Sequence, residues 1–398
     1  MTTGAGKAED TRDFSLVLGG PLYQLFRRTH LSGDALTLAR KRVVVISLFA
    51  WLPLLLLSAL EGKALKGTVA VPFLIDVEQH IRFLVALPLL IIAELVVHQR
   101  MQPVVGLFRE RNLIPERALP KFDAALAAAY RLRNSVIAEL LLVAVVYVVG
   151  IQVVWRHYIA LDAATWYATP AAGGSVLSIA GIWYGYVSLP LSQFLLVRWY
   201  FRIFIWARFL WQVSRIELGL VPIHPDRLGG LGFLGGTIYA FTPLAAAHGA
   251  LATGPFANRI FYLGASLPQF KAEIAGLVLF VLFLVFGPLL VFAPQLGAAR
   301  RRGLREYGTL AERYVRDFDT KWLRGGAPPG EALLGSADVG SLADLGGSLE
   351  VVRTMNATLI TKEAVGRVVA ATLAPIVPLA LTMMPLEELL KKMFGLLF

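Results

Sequence analysis

The stretch RWYFRIFIWARFLWQVSRIELGLVPIHPDRLGGLGFLGG, residues Arg198 to Gly236, decides how the chain is read. Its first part sets four arginines, Arg198, Arg202, Arg208 and Arg215, among seven aromatic residues, and its last part is a polar knot, His224-Pro225-Asp226-Arg227, followed by five glycines. A charged side chain at the centre of a bilayer costs about 2.5–3.5 kcal/mol even on the mildest scale, so neither half suits lipid-facing sequence. Long apolar runs flank the stretch on both sides. The expectation is a membrane scaffold that holds this segment at one face.

Working outward, seven stretches have the length and the lack of charge that a crossing helix of about 20 residues needs. They run from Val43 to Leu60, Phe83 to His98, Ser135 to Trp155, Val176 to Val197, Thr237 to Thr253, Gly276 to Leu296 and Val368 to Met384. With the N-terminus in the cytoplasm, the inner segments hold 30 of the 38 lysines and arginines, against eight on the other side and in the tail. That asymmetry follows the positive-inside rule. The predicted fold is therefore an all-α, polytopic helical membrane bundle of about seven spans in a bacterial cytoplasmic membrane. Its parts are an N-terminal cytoplasmic segment (1–42), the bundle (43–296), a charged helix and linker (297–366) and a C-terminal span with an amphipathic tail (367–398). Within the bundle, 99–134 reads as a cytoplasmic helix and 198–236 as an interfacial segment. From Leu119-Pro120, with proline suited to a helix start, the pattern predicts one helix of about 35 residues into the third span.

Composition agrees. The chain of 398 residues is 57% hydrophobic and 16% charged, with mean hydropathy +0.64, whereas soluble domains carry about 25% charged residues. The formal net charge of +11 is accounted for by topology, so no nucleic-acid partner is expected. Cysteine is absent, which excludes disulfides, thiolate metal sites and cysteine nucleophiles. No cleavable signal is expected, because the first apolar run begins only at Val43. Neither a metal nor a cofactor is expected, since no P-loop, H-E-x-x-H or G-x-S-x-G occurs.

Three groups of residues carry candidate chemistry. At about 100° per residue a single helical face of roughly 140° holds all four arginines; turned inward, it would attract an anion. In the turn, Gly229, Gly230 and Gly232 let successive N–H groups form an anion nest, with Arg227 supplying bidentate charge and His224 a titratable proton. The competing structural reading has Asp226 and His224 capping helices while the glycines permit close packing. The Gly230-x-Gly232-x-x-Gly235 spacing has no preceding strand and no acidic residue near enough to serve as a dinucleotide site. The third group is Glu94 and Glu139, which fall at the same depth near the inner face, where Arg198 and Arg202 emerge. Buried charge needs a partner, so an ion-pair network among these four is expected. Asp76, Glu78, His80 and Arg82 on the outer side read as a solvated turn.

The stretch SLPLSQFLLVRWYFRIFIWARFLWQVSRIEL, the HPDRLGGLGFLG after it, and the later LGSADVGSLADLGGSLEVVR with its PLEELL tail resemble a family of hypothetical bacterial inner-membrane proteins. The resemblance covers about Ile179 to the end and implies a multi-pass protein of the cytoplasmic membrane; it transfers no functional residue. The expected function is that of a homo-oligomeric channel or transporter-like protein. Its inner mouth would bind or conduct an ion or small anionic ligand through Arg198, Arg202 and Arg227, with Glu94 and Glu139 for ion pairing or gating and His224 as a pH sensor. The alternatives are a membrane sensor or scaffold that binds a partner or anionic lipid, and an interfacial enzyme using His224 and Asp226 on a lipid phosphate.

Overall fold

The computed structural model describes residues 15–21, 24, 39–65, 67–155, 164–171 and 174–383. Helix α1 (Ala39–Leu60) opens the bundle. Helix α2 (Val77–Glu110) follows with a one-turn π segment near its start, and α3 (Leu119–Arg133) and α4 (Val136–Val145, continued to Trp155 in π geometry) come next. A small antiparallel hairpin, β1 (Ala168–Ala171) and β2 (Gly174–Leu177), leads into α5 (Ile179–Val213). Then come α6 (Thr242–Leu263), the 57-residue helical path α7 (Leu267–Leu323), α8 (Ala337–Arg353) and α9 (Lys362–Leu373). The all-α expectation holds, with one hairpin as the exception among the described residues.

Four helices, namely α1 from Arg40, α2, α5 and α7, are long and apolar enough to cross a membrane, or six crossings if each of two bent pairs counts as one. The sequence suggests seven. The difference is the expected fifth span, whose helix α6 starts at Thr242 and is not among those apolar enough by themselves. Its LAAAHGALATG core has small residues in place of bulky ones, and Ala245, Ala247, His248, Gly249 and Ala250 are all buried. Small side chains let helices approach closely. A Cβ on Gly249 would lie 1.9 Å from the carbonyl oxygen of Thr372 in α9, so only glycine fits at this crossing.

The expected continuous helix from Leu119 into the third span is broken. The α3 and α4 axes bend by 50°, because Ser135 caps a new helix, its Oγ accepting the Ala138 N–H at 3.2 Å. A serine at the N-cap satisfies a donor that the first turn leaves open. At the chain's other end, α9 and the turn Val377–Met383 bend by 59°, so the last apolar segment is kinked. The amphipathic tail expected beyond it lies outside the described residues, as does most of 1–42.

Helix α1 packs against both α2 and the start of α5, with α6 lying against α2 and α9, and α3 against α5. Phe108, Phe122 and Phe209 join α2, α3 and α5 through ring contacts of 5.8 and 5.9 Å between centroids. Helix α4 leaves Ile137, Leu140, Leu141 and Val148 at least 60% exposed, and α7 does the same with Leu279 and Phe283. An apolar surface of this kind is what a bilayer covers.

The stretch after Arg198 stays helical, and α5 runs unbroken to Val213. Glu61 caps its start, accepting the N–H groups of Ile179 and Ala180 at 3.0 and 3.4 Å. A carboxylate at a helix N-terminus is favoured by the helix dipole.

Candidate functional site

The four arginines of the opening stretch divide. Arg198 and Arg202 are buried, Arg208 is half-buried, and Arg215 points outward with its guanidinium 5.3 Å from the Trp211 ring. Two residues one helical turn apart share a face, whereas Arg215 lies beyond the end of α5 at Val213. The expected inward face of four arginines therefore consists of two.

Those two meet carboxylates from other helices. Glu94 Oε1 accepts from Arg202 Nη1 at 2.7 Å and from Arg198 Nη1 at 3.3 Å. Its other oxygen pairs with Arg42 of α1. The second guanidinium nitrogen of Arg198 reaches Glu139 of α4 at 3.2 Å. Arg202 also lies over the Trp199 ring at 4.9 Å, and Trp199 is itself fixed by its indole N–H on the Leu90 carbonyl at 2.9 Å. Four helices thus converge on one charged centre of three guanidinium groups and two carboxylates. Stripping water from five charges is costly, and close opposite partners offset that cost.

Beside this centre lies a small crevice lined by Leu16, Gly19, Arg133, Glu139, Arg198, Phe201, Arg202 and Ile205. Arg133 stands at the end of α3 and donates to the Ser15 carbonyl at 2.6 Å. Ser15 Oγ lies 2.9 Å from His98 Nδ1, one turn beyond Glu94 on α2. Sequence reasoning missed Arg42, Arg133, His98 and Ser15. Arg42 and Arg133 passed as topology-setting charges, and no local pattern links residue 15 to a helix more than 80 positions away. The one available signal was their position, directly before or after an apolar run.

The His224-to-Gly232 turn is built on different neighbours. Asp226 accepts backbone N–H groups from Leu228 at 2.8 Å, Gly232 at 2.9 Å and Gly230 at 3.1 Å. The nest expected to receive an external anion therefore holds the protein's own carboxylate. Burial alone would raise the Asp226 pKa, but those three N–H groups and His224 outweigh it and hold the carboxyl below its ordinary value. His224 Nδ1 sits 2.9 Å from Asp226 Oδ1 and 3.2 Å from the Asp226 N–H. The neutral ring accepts from that N–H, and a protonated ring pairs with the carboxylate. Gly229 and Gly230 adopt φ of 64° and 100°, and Arg227 adopts φ of 55°. The Arg227 side chain is exposed, while its carbonyl accepts the Asn356 N–H at 2.8 Å. Arg227 thus helps fasten the turn to the end of α8 through its backbone.

On the opposite side of the bundle, the expected solvated turn is buried at Asp76, which is 2% exposed. The hairpin brings Trp166 over it, donating to Oδ2 at 2.8 Å, and Asn258 of α6 donates to Oδ1 at 3.0 Å. Glu78 pairs with Arg82 at 2.6 Å. His80 accepts the Trp51 indole N–H at Nδ1 and lies 3.1 Å from the Leu74 carbonyl at Nε2. Among the described residues no group of three His, Asp or Glu side chains is placed to hold a metal. Comparison with protein-family models, curated proteins and solved structures finds no match to this chain.

Proposed function

We propose that the protein is a transporter-like membrane protein that takes a small anion of the phosphate class at its basic end, oriented toward the cytoplasm. The observation that carries this reading is the concentration of guanidinium groups. Arg42, Arg198 and Arg202 gather around Glu94 and Glu139, all inside the bundle. Arg133 adds a further positive charge at the crevice. Ionisable groups inside spans mark ligand pathways more often than they brace a fold, because bracing is cheaper with apolar residues. Guanidinium groups match the oxygens of phosphate in geometry as well as in charge.

The turn at His224 takes a different role. Its nest is closed by Asp226, so it braces the junction of α2, α7 and α8 and leaves anion contact to the buried cluster. The same closure weighs against a lipid-phosphate enzyme, since His224 and Asp226 are each other's partners.

Uptake of labelled phosphate by proteoliposomes tests the reading. Wild type is expected to exceed empty liposomes, and Arg133→Ala to lower uptake about tenfold, the effect of about 1.4 kcal/mol of binding. No uptake under voltage, pH or salt gradients would count against it. One observation favours a sensor or scaffold instead. The path of α7 spans 57 residues, about 85 Å at 1.5 Å per residue, and its far end forms a hairpin with α8 held by Lys321 to Asp338 at 2.8 Å. Capture of a stable partner by that hairpin, with no uptake, would support it.

A further inference from the structure

Beyond Gly303 the α7–α8 hairpin leaves the bundle. Eleven charged residues between Arg300 and Lys321 keep this part of α7 out of hydrocarbon, and at 1.5 Å per residue the arm reaches about 30 Å past Gly303. Its seam is apolar and regular. Tyr307, Ala311, Tyr314 and Phe318 on α7 recur at steps of four and three residues, as do Leu342, Leu345, Leu349 and Val352 on α8. That spacing keeps one face of each helix toward a neighbouring helix. Val352 at the base is fully buried, yet none of residues 304–351 is. Two helices cover such a seam only in part, and helices draw most of their stability from packing. The hairpin is half of a core.

One side of it is open and smooth. Leu304, Gly308 and Val315 line the flank of α7 beside the seam, and Val339 and Gly346 line that of α8. At about 100° per residue each set leads its own seam in the same rotational sense, which in an antiparallel pair puts both on one side of the hairpin. Leu304, Val315 and Val339 are 37%, 51% and 45% exposed, and a Cβ on Gly308 or Gly346 would meet nothing within 4 Å. At the rim of this side Arg305 and Glu350 are exposed, and neither has a charged partner among the described residues. Arg300 donates to the Arg353 carbonyl at 2.8 Å, and a Cβ on Gly303 would lie 2.9 Å from Val352 Cγ1. Two residues further along each arm, Arg305 is therefore level with Glu350.

We propose that this side of the hairpin is a homodimer interface, where the arms of two copies close into a four-helix bundle. A twofold axis along the hairpin sets α7 of each copy against α8 of the other, so the contact between Arg305 and Glu350 is made twice. The open glycines let the helices approach closely, and Val315 falls at the height of Val339 across the interface. A face complementary to itself in charge fits a second copy of the chain better than a foreign partner. The inference stands apart from the anion reading and uses none of its residues.

Native mass spectrometry of the full chain released from detergent micelles counts the copies directly. Wild type is expected to be a dimer. Arg305→Glu is expected to raise the dimer dissociation constant about tenfold or more, because it turns two attractions into repulsions, and adding Glu350→Arg is expected to restore it. Both positions are exposed, so neither change threatens the fold. A second measurement does not depend on affinity. The chain has no cysteine, so Val315→Cys and Val339→Cys are placed in separate chains with different tags, and oxidation is expected to join the two tags through one disulfide. A monomer at every concentration overturns the proposal; a Val315→Cys thiol then open to a polar maleimide assigns the face to a different partner, and a shielded one shows that the chain covers the face itself. A dimer that ignores both charge changes and yields no mixed disulfide joins elsewhere, and overturns it as well. Neither measurement uses phosphate, so failure of the anion site leaves both outcomes unchanged.

Discussion

Glu94 is the residue on which the charged centre depends. It is the shared partner of Arg42, Arg198 and Arg202, and removing one member of a buried pair leaves uncompensated charge at a cost of about 3–5 kcal/mol. Glu94→Gln, similar in shape, is expected to destabilise by that amount in thermal unfolding, and adding Arg42→Met is expected to recover part of the loss. Simple additivity of the two changes would show that they do not share a centre. Asp226 gives a pH signature. Its folded pKa lies below the ordinary value of 3.8, so the unfolded chain takes up the proton first as pH falls. The contribution is full above that value and is lost as pH drops below it through the depressed folded value. Asp226→Asn should lower stability at pH 7 by about 1–2 kcal/mol and flatten the decline below pH 4. The convergence of Glu94 and Glu139 with Arg198 and Arg202 was legible, because depth in a bilayer can be counted along the chain. Arg42 and Ser15 were not, because nothing local tells an arginine that anchors a span from one that turns inward.

At the scale of elements, helix breaks and crossings decide the arrangement. The break between α3 and α4 depends on Ser135, so Ser135→Ala is expected to cost about 1 kcal/mol, a drop in melting temperature of a few degrees. The crossing of α6 and α9 depends on Gly249. Gly249→Ala forces a methyl onto a carbonyl and is expected to cost about 2 kcal/mol or more, whereas Gly276→Ala on α7 meets nothing within 4 Å and should be neutral or stabilising. Equal effects at the two glycines would contradict the packing described. Most crossing segments could be read directly from length and apolarity. Asn134-Ser135 hid a cap inside an otherwise helical pattern, and the segment read as a fifth span is the small-residue helix α6, packed against α2 and α9.

At the scale of the molecule, a bundle of apolar helices carries one charged centre at its basic end and a separate, self-closed turn beside it. Exposed apolar faces on α4 and α7 suit lipid, and the long α7 with α8 extends the structure beyond the bundle. The central claim is that the guanidinium groups of Arg198, Arg202 and Arg133 bind an anion. Equilibrium binding of labelled phosphate to the full chain in phosphatidylcholine nanodiscs tests it most directly, with wild type beside Arg133→Ala. A saturable site in wild type, weakened about tenfold in the variant, is the result this account predicts; no saturable site, or one indifferent to Arg133, would contradict it.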